Sequence, residues 1–256
     1  MNKMKTCKVS VLIPAFNEEK YILTTLQALL KQDYLNFEVI IVNNLSTDNT
    51  RKVVEDFIND HPHLQNMTIV DENLQGTNHA RERGRKIATG DIIAQLDADC
   101  IPASNWISRG VKLMQKSNIV AVTGPYDYFD TFFFRRYITL LAQIIFYPVV
   151  DTFSQLFKKG GIIIGGNTFI DATVLEKAGG YNTSFTFYGD DIDIAKKVFS
   201  YGRIFYSNQL ILKSSSRRFK ALGFNTVQKK YRKAFIDLIF LKGMKIEESI
   251  ELIHPR

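Results

Sequence analysis

Two aspartates that directly follow a short apolar run are the first residues in this sequence that could do chemistry. Asp97 and Asp99 come after residues 92–96, a run of strand length that follows a Gly-Asp breaker pair. Alternate side chains of an extended chain point the same way, so we expect both carboxylates on one side. Hard oxygen ligands of this kind hold Mg²⁺ or Mn²⁺, which often also bind substrate phosphates. The pair could instead cap the following helix or lie in a solvated turn, since an Asp-x-Asp pair alone is common.

A second group of carboxylates opens a predicted helix that ends near Gly202. Asp190, Asp191 and Asp193 fall in its first turn, where the helix dipole favours negative side chains, and that alone could explain them. The functional interpretation is that one carboxylate removes a proton from a substrate hydroxyl. The helix N-terminus lowers the pKa of such a group and neighbouring carboxylates raise it, so a base of suitable strength can arise here.

The elements that must position these groups alternate along the chain. We predict strands at residues 9–13, 38–42, 68–70 and 92–96, separated by helices of which the third, at residues 76–89, is basic. This alternation is typical of a parallel sheet with right-handed crossovers. Polar loops follow three of the strands, so a doubly wound sheet would bring these loops to one edge. Their convergence is more specific than any single loop.

Five motifs in their order along the chain resemble those of family 2 glycosyltransferases, enzymes with the GT-A fold. The motifs are VLIPAFNEE at residues 11–19, IVNNLSTDNT at 41–50, LDAD at 96–99, GGN with GGY at 165–167 and 179–181, and GDDID at 189–193. The resemblance implies an α/β fold of GT-A type, with a Rossmann-like, mostly parallel central sheet and helices on both faces.

The resemblance also implies a division of the chain. The GT-A domain would occupy residues 1–220, with a nucleotide-sugar-binding half up to about residue 125 and an acceptor-binding half from about residue 126. Residues 221–256 would form a basic amphipathic helical extension at the C-terminus.

Each site residue receives an expected role from the same resemblance. Asp99 would bind a divalent metal, Mn²⁺ or Mg²⁺, on the donor diphosphate, and Asp191 would deprotonate the acceptor hydroxyl. Asp190 would orient the acceptor. The residues expected to contact the nucleotide-sugar are Pro14, Ala15, Asn17, Glu18, Asn44, Asp48 and Asp97, with Arg217 and Arg218 pairing with its diphosphate.

Residues 162–170 are predicted to form a buried strand on the acceptor side. Its glycine pair, Gly165 and Gly166, either lets a ligand or backbone come close or forms a structural bulge. In the first case Gly166 borders the acceptor and Asn167 points its amide at the sugar or acceptor.

The sequence departs from the family pattern at two places. Asn43-Asn44 stands where Asp-Asp is commoner, which leaves the base of the nucleotide less certain. The metal-binding histidine and the Gln-x-x-Arg-Trp motif of processive relatives are missing near Ser214–Arg218, since all four histidines lie elsewhere. We therefore expect one sugar to be added per event.

The expected function is inverting transfer of a sugar from a nucleotide-diphosphate sugar, with a UDP-sugar favoured, to an acceptor hydroxyl. The acceptor would be a glycan or a lipid-linked precursor in polysaccharide, cell-envelope or lipid-linked glycan synthesis. Two alternatives stay open: a catalytically silent nucleotide- or lipid-binding module of the same fold, and a sugar nucleotidyltransferase. The second lacks the glycine-rich basic loop expected after its first strand.

Composition and charge narrow the class of protein. The 256 residues, 45% of them hydrophobic and 23% charged, are those of an ordinary globular protein. Its two cysteines make a disulfide framework implausible, and the first residues have no signal-peptide core, so we expect a reduced, cytoplasmic setting. The net charge of +7 is local, because residues 213–245 contain ten basic residues and one acidic residue. Phosphates, anionic lipid or nucleic acid are candidate partners, and the carboxylate motifs disfavour nucleic acid.

Two apolar stretches leave membrane contact open. In residues 129–157 the uninterrupted apolar part, residues 138–147, is far shorter than the roughly 20 residues of a membrane-spanning helix. We favour a helix buried against the sheet or in a dimer contact, with an interfacial or lipid-acceptor surface as the alternative. Residues 224–241 mix basic and apolar residues at helical spacing, which suits docking on the inner face of an anionic membrane or packing against the domain.

Overall fold

The computed structural model describes residues 7–62, 66–158, 160–184, 189–223 and 226. A seven-stranded sheet lies at its centre, with the strands in the order β3 (Met67–Asp71), β2 (Phe37–Asn43), β1 (Val9–Ala15), β4 (Ile92–Leu96), β8 (Asn167–Asp171), β6 (Ile119–Thr123) and β9 (Arg203–Tyr206). A second sheet has the order β5 (Cys100–Ile101), β10 (Leu212–Ser214) and β7 (Tyr126–Tyr128). The helices are α1 (Ile22–Leu29), α2 (Thr50–Asp60), α3 (Thr77–Ile87), α4 (Trp106–Met114), α5 (Phe133–Leu156), α6 (Ala172–Lys177), α7 (Asp190–Phe199) and α8 (Arg217–Leu222).

The central sheet is mostly parallel, as predicted. Strands β3, β2, β1 and β4 run parallel to one another, and β8 runs antiparallel to both of its neighbours, β4 and β6. The chain builds outwards from β1 through β2 to β3 and then returns to the other side of β1 as β4. The carboxyl ends of β1 and β4 therefore flank the switch point at which such sheets bind ligands.

Helices cover both faces of the sheet because its strands are apolar on both sides. Along β1, Val11 and Ile13 point into a core shared with α1, α2 and α4, whereas Leu12 points into a second core shared with α3, α6 and α7. Leu12 and Val42 lie close to Gly84 of α3, where a side chain would not fit without movement. This close packing brings α3 directly onto the sheet beside the switch point.

The structure differs from the sequence-based expectation in the length of one strand and in the burial of one helix. The strand expected at residues 162–170 is shorter, since only Asn167–Asp171 pairs with neighbouring strands. Residues 133–156 form one continuous helix, α5, that runs through Pro148. Its apolar side chains are largely exposed among the described residues, so the expected burial of this segment against the sheet is wrong. The helix expected at residues 224–241 lies outside the described residues except for Thr226.

Candidate active site

The two aspartates that follow β4 lie together at the switch point. Ligand atoms of Asp97, Asp99 and Cys100 are all within 4.8 Å of one another. Burial, and then the charge of Asp99, raises the pKa of the Cys100 thiol well above its ordinary value, which keeps it protonated and a poor ligand. Mn²⁺ and Mg²⁺ prefer oxygen. The donor set therefore fits a hard divalent cation through Asp97 and Asp99.

Arg217 reaches this group from α8. Its Nε lies 2.9 Å from Oδ2 of Asp99, and one of its terminal nitrogens donates to Glu18 at 2.6 Å. Glu18, in the loop after β1, is buried. Burial raises the pKa of Asp99 to about 7, although the charge of Arg217 opposes this effect. Arg218, the next residue of α8, is half-buried, and its charge also acts on Asp99. The structure thus gathers Glu18, Asp99 and both arginines in one place.

The loops after β1 and β2 are held together by Asn17 and Asp48. Asn17 has a left-handed backbone, with φ 56°, and its Oδ1 accepts a hydrogen bond from the amide of Thr47 at 2.8 Å. The Asp48 carboxylate accepts from the amide of Thr50 at 2.9 Å and from that of Glu19 at 3.2 Å. Burial alone would raise the pKa of Asp48, but these hydrogen bonds lower it. Both side chains therefore fix the rim of the switch point.

The other predicted residues of this rim are Pro14, Ala15 and Asn44. Pro14 and Ala15 end β1, and Ala15 is buried. Asn44 is also buried: its Nδ2 donates to the carbonyl of Leu74 at 2.7 Å, and its Oδ1 accepts from the amide of Gly76 at 2.8 Å. The Asn44 side chain thus supports the loop between β3 and α3, and its backbone amide donates to the carbonyl of Ala15 at 2.8 Å.

Arg81 of α3 joins the two groups of carboxylates. Its side chain is only 6% exposed. One terminal nitrogen lies 3.0 Å from Asp190 and 3.9 Å from Asp191, and the other lies 3.4 Å from Asp97. The Asp97 carboxylate also accepts a hydrogen bond from the Tyr126 hydroxyl at 3.1 Å. A single buried guanidinium therefore sets the spacing between the β4 end and the start of α7.

Asp190 and Asp191 begin α7 after Gly189, whose φ is 96°. Burial, and then the charge of Asp190, raises the pKa of Asp191 to about 7, against the opposing charge of Arg81. Burial also raises the pKa of Asp190. The Asp191 side chain is still 39% exposed, and its Oδ2 accepts from the amide of Gly165 at 3.1 Å. An accessible carboxylate with a pKa near neutrality is suited to general base catalysis.

The glycine pair before β8 makes room for these carboxylates. A Cβ at Gly165 would overlap the carboxylate of Asp191, and a Cβ at Gly166 would overlap that of Asp97 and the Tyr126 hydroxyl. The close approach expected at the pair is therefore made by the protein's own side chains. Gly166 is buried beside Asp97 and the Tyr126 hydroxyl.

Asn167 requires a correction. Its side chain is completely buried: Oδ1 accepts from the Trp106 indole at 2.9 Å, and Nδ2 donates to the carbonyls of Gly124 at 2.9 Å and Leu210 at 2.7 Å. All its hydrogen-bonding capacity is used inside the domain, so the expected orientation towards the sugar or acceptor is wrong. The residue joins α4, β8 and the loops beside β6 and β10.

Arg81 and Tyr126 were not identified from the sequence. The pattern of residues 76–89 indicates a basic helix but does not distinguish Arg81, and Tyr126 lies in a stretch without a motif. The available signal for Arg81 was its place near the start of the helix, one turn before Gly84, which packs on the sheet. An arginine there reaches the carboxyl ends of the strands.

Comparison with known proteins gives the same picture. Solved structures with this fold include the mannosyltransferase PcManGT of Pyrobaculum calidifontis in complex with GDP-Man and Mn²⁺, with TM-score 0.67 and 24% identity, over 90% of this chain and 65% of that one. Another is S. aureus TarS 1-349 with UDP-GlcNAc, with TM-score 0.63 and 20% identity, over 82% and 59% of the two chains. These likenesses confirm the predicted GT-A-type fold.

Curated relatives match over shorter stretches. The glycosyltransferase AglE of Haloferax volcanii is 33% identical over 122 residues, which are 47% of this chain and 40% of that protein. The UDP-Glc:alpha-D-GlcNAc-diphosphoundecaprenol beta-1,3-glucosyltransferase WfgD of Escherichia coli is 34% identical over 154 residues, 60% and 56% of the two chains. The chain thus spans about half the length of the curated relatives it matches.

A family model described as Glycosyl transferase family 2 matches residues 10–179, from the start of β1 to the loop before α7. The match includes the strand-end loops and both aspartates that follow β4. Because it covers well over half of the chain, this protein belongs to glycosyl transferase family 2.

Proposed function

We propose that this protein transfers a sugar from a nucleotide-diphosphate sugar to an acceptor hydroxyl with inversion at the anomeric carbon. The observation that carries the proposal is the arrangement around Arg81. One terminal nitrogen lies 3.4 Å from Asp97, which shares a candidate metal site with Asp99, and the other lies 3.9 Å from the base candidate Asp191. A donor bound at the β1–β4 switch point then has its leaving group near Asp99 and its sugar near Asp191. The donor half would end near residue 125, and the acceptor half would follow.

On the donor side, Asp99, with Asp97 beside it, would hold a divalent metal, Mn²⁺ or Mg²⁺. When bound, this ion neutralises the charge that develops on the leaving diphosphate. Glu18 and Asp99 together position the Arg217 guanidinium, which would pair with the diphosphate of a bound donor. Asn17 and Asp48 keep the surrounding loops in place for the nucleoside.

On the acceptor side, Asp191 takes the proton of the attacking hydroxyl. The acceptor oxygen forms its bond to the anomeric carbon as the bond from that carbon to the diphosphate oxygen breaks on the opposite face. Asp190, fixed by Arg81 at 3.0 Å, orients the acceptor, and no covalent intermediate with the enzyme is needed. Inversion follows from this single displacement.

The partners follow from the relatives. WfgD is named as a UDP-glucose enzyme acting on a diphosphoundecaprenol-linked sugar, and solved neighbours carry GDP-Man or UDP-GlcNAc. We infer a UDP-sugar donor and a glycan or lipid-linked acceptor, in polysaccharide or cell-envelope synthesis. We infer that the enzyme acts in the cytoplasm, at the inner face of the membrane that carries such an acceptor.

The donor site is tested by calorimetric titration of a panel of UDP- and GDP-sugars with and without Mn²⁺. We expect one donor to bind in a metal-dependent manner, and Asp99→Asn to weaken that binding at least about tenfold through loss of a charged ligand. Glu55→Gln, which changes an exposed carboxylate on α2, is the matched control and should bind as the native chain does. Failure of every donor to bind would reject the proposed function.

A further inference from the structure

Helix α5 has its polar side inwards and its apolar side outwards, which is the reverse of an ordinary surface helix. Its buried residues are Thr139, Gln143, Asp151 and Ser154. Its exposed side chains include Phe134, Ile138, Leu141, Ile145, Phe146 and Phe153. At about 1.5 Å per residue the 24-residue helix is about 36 Å long. Water-soluble surfaces rarely leave a continuous apolar patch of such length uncovered.

The buried polar side fixes α5 along the surface of the domain. Gln143 donates to the carbonyl of Tyr126 and accepts from its amide, both at 2.9 Å. Farther along, Asp151 accepts from the amide of Ile162 at 2.8 Å. By length and composition α5 is the one helix among the described residues that could cross a membrane. These anchors at two points instead hold it flat against the protein.

Positive residues lie at both ends of the apolar side. Arg135 is exposed in the first turn, and Lys158 is exposed just after the last turn. The acidic residue of α5, Asp151, is buried on the other side. A helix with an apolar outer side and cationic ends matches the boundary between anionic headgroups and acyl chains.

We propose that the exposed side of α5 docks in the plane of a membrane that carries anionic lipid. A second copy of the chain fits this surface less well, since pairing two α5 helices in either direction brings cationic ends together. Residues 224–256 contain seven basic and four acidic residues, and α5 offers no exposed acidic side chain to this excess of positive charge. Lipid satisfies both the apolar side and the positive ends.

The same anchors place the membrane beside the reaction site, a consequence that rests on the proposed function. Tyr126, held by Gln143, donates to Asp97. Ile162, held by Asp151, lies three residues before Gly165, which donates to Asp191. An acceptor sugar on a lipid carrier would therefore meet the cleft next to the helix that rests on that lipid.

Vesicle flotation of the full chain tests the proposal. The probe is vesicles of phosphatidylcholine with phosphatidylglycerol, and the variant is Ile145→Glu with Phe146→Glu, at side chains that are 51% and 63% exposed. Each lost apolar contact weakens partition about tenfold, so we expect at least about a hundredfold weaker binding. The matched control, Leu23→Glu with Leu35→Glu, makes the same change at exposed residues away from α5 and should float as the native chain does.

Three outcomes would overturn the proposal. In the first, the native chain does not float, and in the second, the α5 variant floats as well as the control. In the third outcome the native chain forms a dimer and does not bind vesicles, and the α5 variant is a monomer. Circular dichroism of both variants excludes unfolding as the cause of lost flotation. Donor titration in the absence of vesicles distinguishes a failure of the membrane-docking proposal from a failure of the proposed glycosyl transfer. We expect the α5 variant to bind the nucleotide-sugar normally, whereas Asp99→Asn loses the donor and still floats.

Discussion

At the scale of residues, burial and neighbouring charges together set the basicity of the site's carboxylates. One buried guanidinium, that of Arg81, faces Asp97, Asp190 and Asp191. Burial, and then the neighbouring charge of Asp190, raises the pKa of Asp191 to about 7 against the opposing charge of Arg81. Arg81 keeps this pKa from rising further, which leaves Asp191 suited to act as a base near neutral pH.

The pH dependence of transfer should show this pKa. Asp191 is an active base only when ionised, so kcat/KM should fall about tenfold for each pH unit below an apparent pKa near 7 and level off above it. The measurement is initial transfer rate against pH at saturating metal. The charge of Arg81 lowers this pKa, and Arg81→Lys replaces a planar guanidinium that contacts several carboxylates with a single ammonium group. This variant should therefore show its loss of rate at a higher pH than the native chain. A native acid limb near pH 4 would contradict this account.

The glycine pair gives a second prediction at this scale. Gly165→Ala should displace Asp191 and lower kcat by at least about tenfold, the scale of a misplaced general base, with donor KM nearly unchanged. Gly166→Ala should displace Asp97 and mainly raise donor KM. Gly179→Ala is the control, because a Cβ there meets open space, although its φ of 84° costs some stability. Steady-state kinetics of the three variants would refute the assignment if both pair variants behaved like the control.

At the scale of elements, Glu38 connects the strands that form the switch point. Its carboxylate on β2 accepts from the Ser10 hydroxyl on β1, from Lys8 at 2.9 Å and from the amide of Thr89 at 2.7 Å. Burial alone would raise the pKa of Glu38, but these hydrogen bonds lower it to about 2. The carboxylate thus ties β2 to β1 and to the segment that leads into β4.

Glu38→Gln should lower the free energy of unfolding at pH 7 by about 2 kcal/mol. The pKa of Glu38 is lower in the folded chain than in the unfolded chain. The stability that ionised Glu38 adds, relative to Glu38→Gln, is therefore complete above about pH 4.5 and disappears as the pH falls towards about 2. Urea unfolding at several pH values measures this difference in the free energy of unfolding. Glu55→Gln is the surface control, and it should lower the free energy of unfolding by about 0.5 kcal/mol or less. A constant difference between pH 7 and pH 2 would argue against the role of Glu38.

The sequence predicted the elements whose signal is local. Strands β1 to β4 and the loops after them follow from apolar runs that end at polar residues, so Asp97 and Asp99 were found at the right edge. Contacts between distant residues were not predictable in this way. Asn167 looked free to face the cleft because its partners, Trp106 and Leu210, lie far away along the chain. Arg81 was missed because Asp190 is 109 residues away.

Helix α5 shows the same limit. Its apolar residues predicted burial, the usual outcome for such a run. Which side of the helix faces the domain is decided by the hydrogen bonds of Gln143 and Asp151 to Tyr126 and Ile162. Periodicity alone does not reveal that a polar side is the buried one.

At the scale of the whole molecule, the fold brings a donor edge, a base and an apolar outer helix together. In the proposed mechanism the loops after β1, β2 and β4 supply the donor edge, the start of α7 supplies the base, and α5 borders the acceptor side. The match to glycosyl transferase family 2 covers the first of these features, the loops after β1, β2 and β4. The third suggests where the acceptor comes from.

The measurement that tests the central claim most directly compares transfer from the identified donor by Asp191→Asn and Asp193→Asn. The two residues share the first turn of α7. Among the described ion pairs, Asp193 pairs with Lys197 at 2.9 Å and has no pair with Arg81. We predict that Asp191→Asn binds donor normally and loses at least about a hundredfold in kcat. Asp193→Asn should keep nearly the native rate. Native turnover by Asp191→Asn, or an equal loss in both variants, would contradict the assignment of Asp191 as the base.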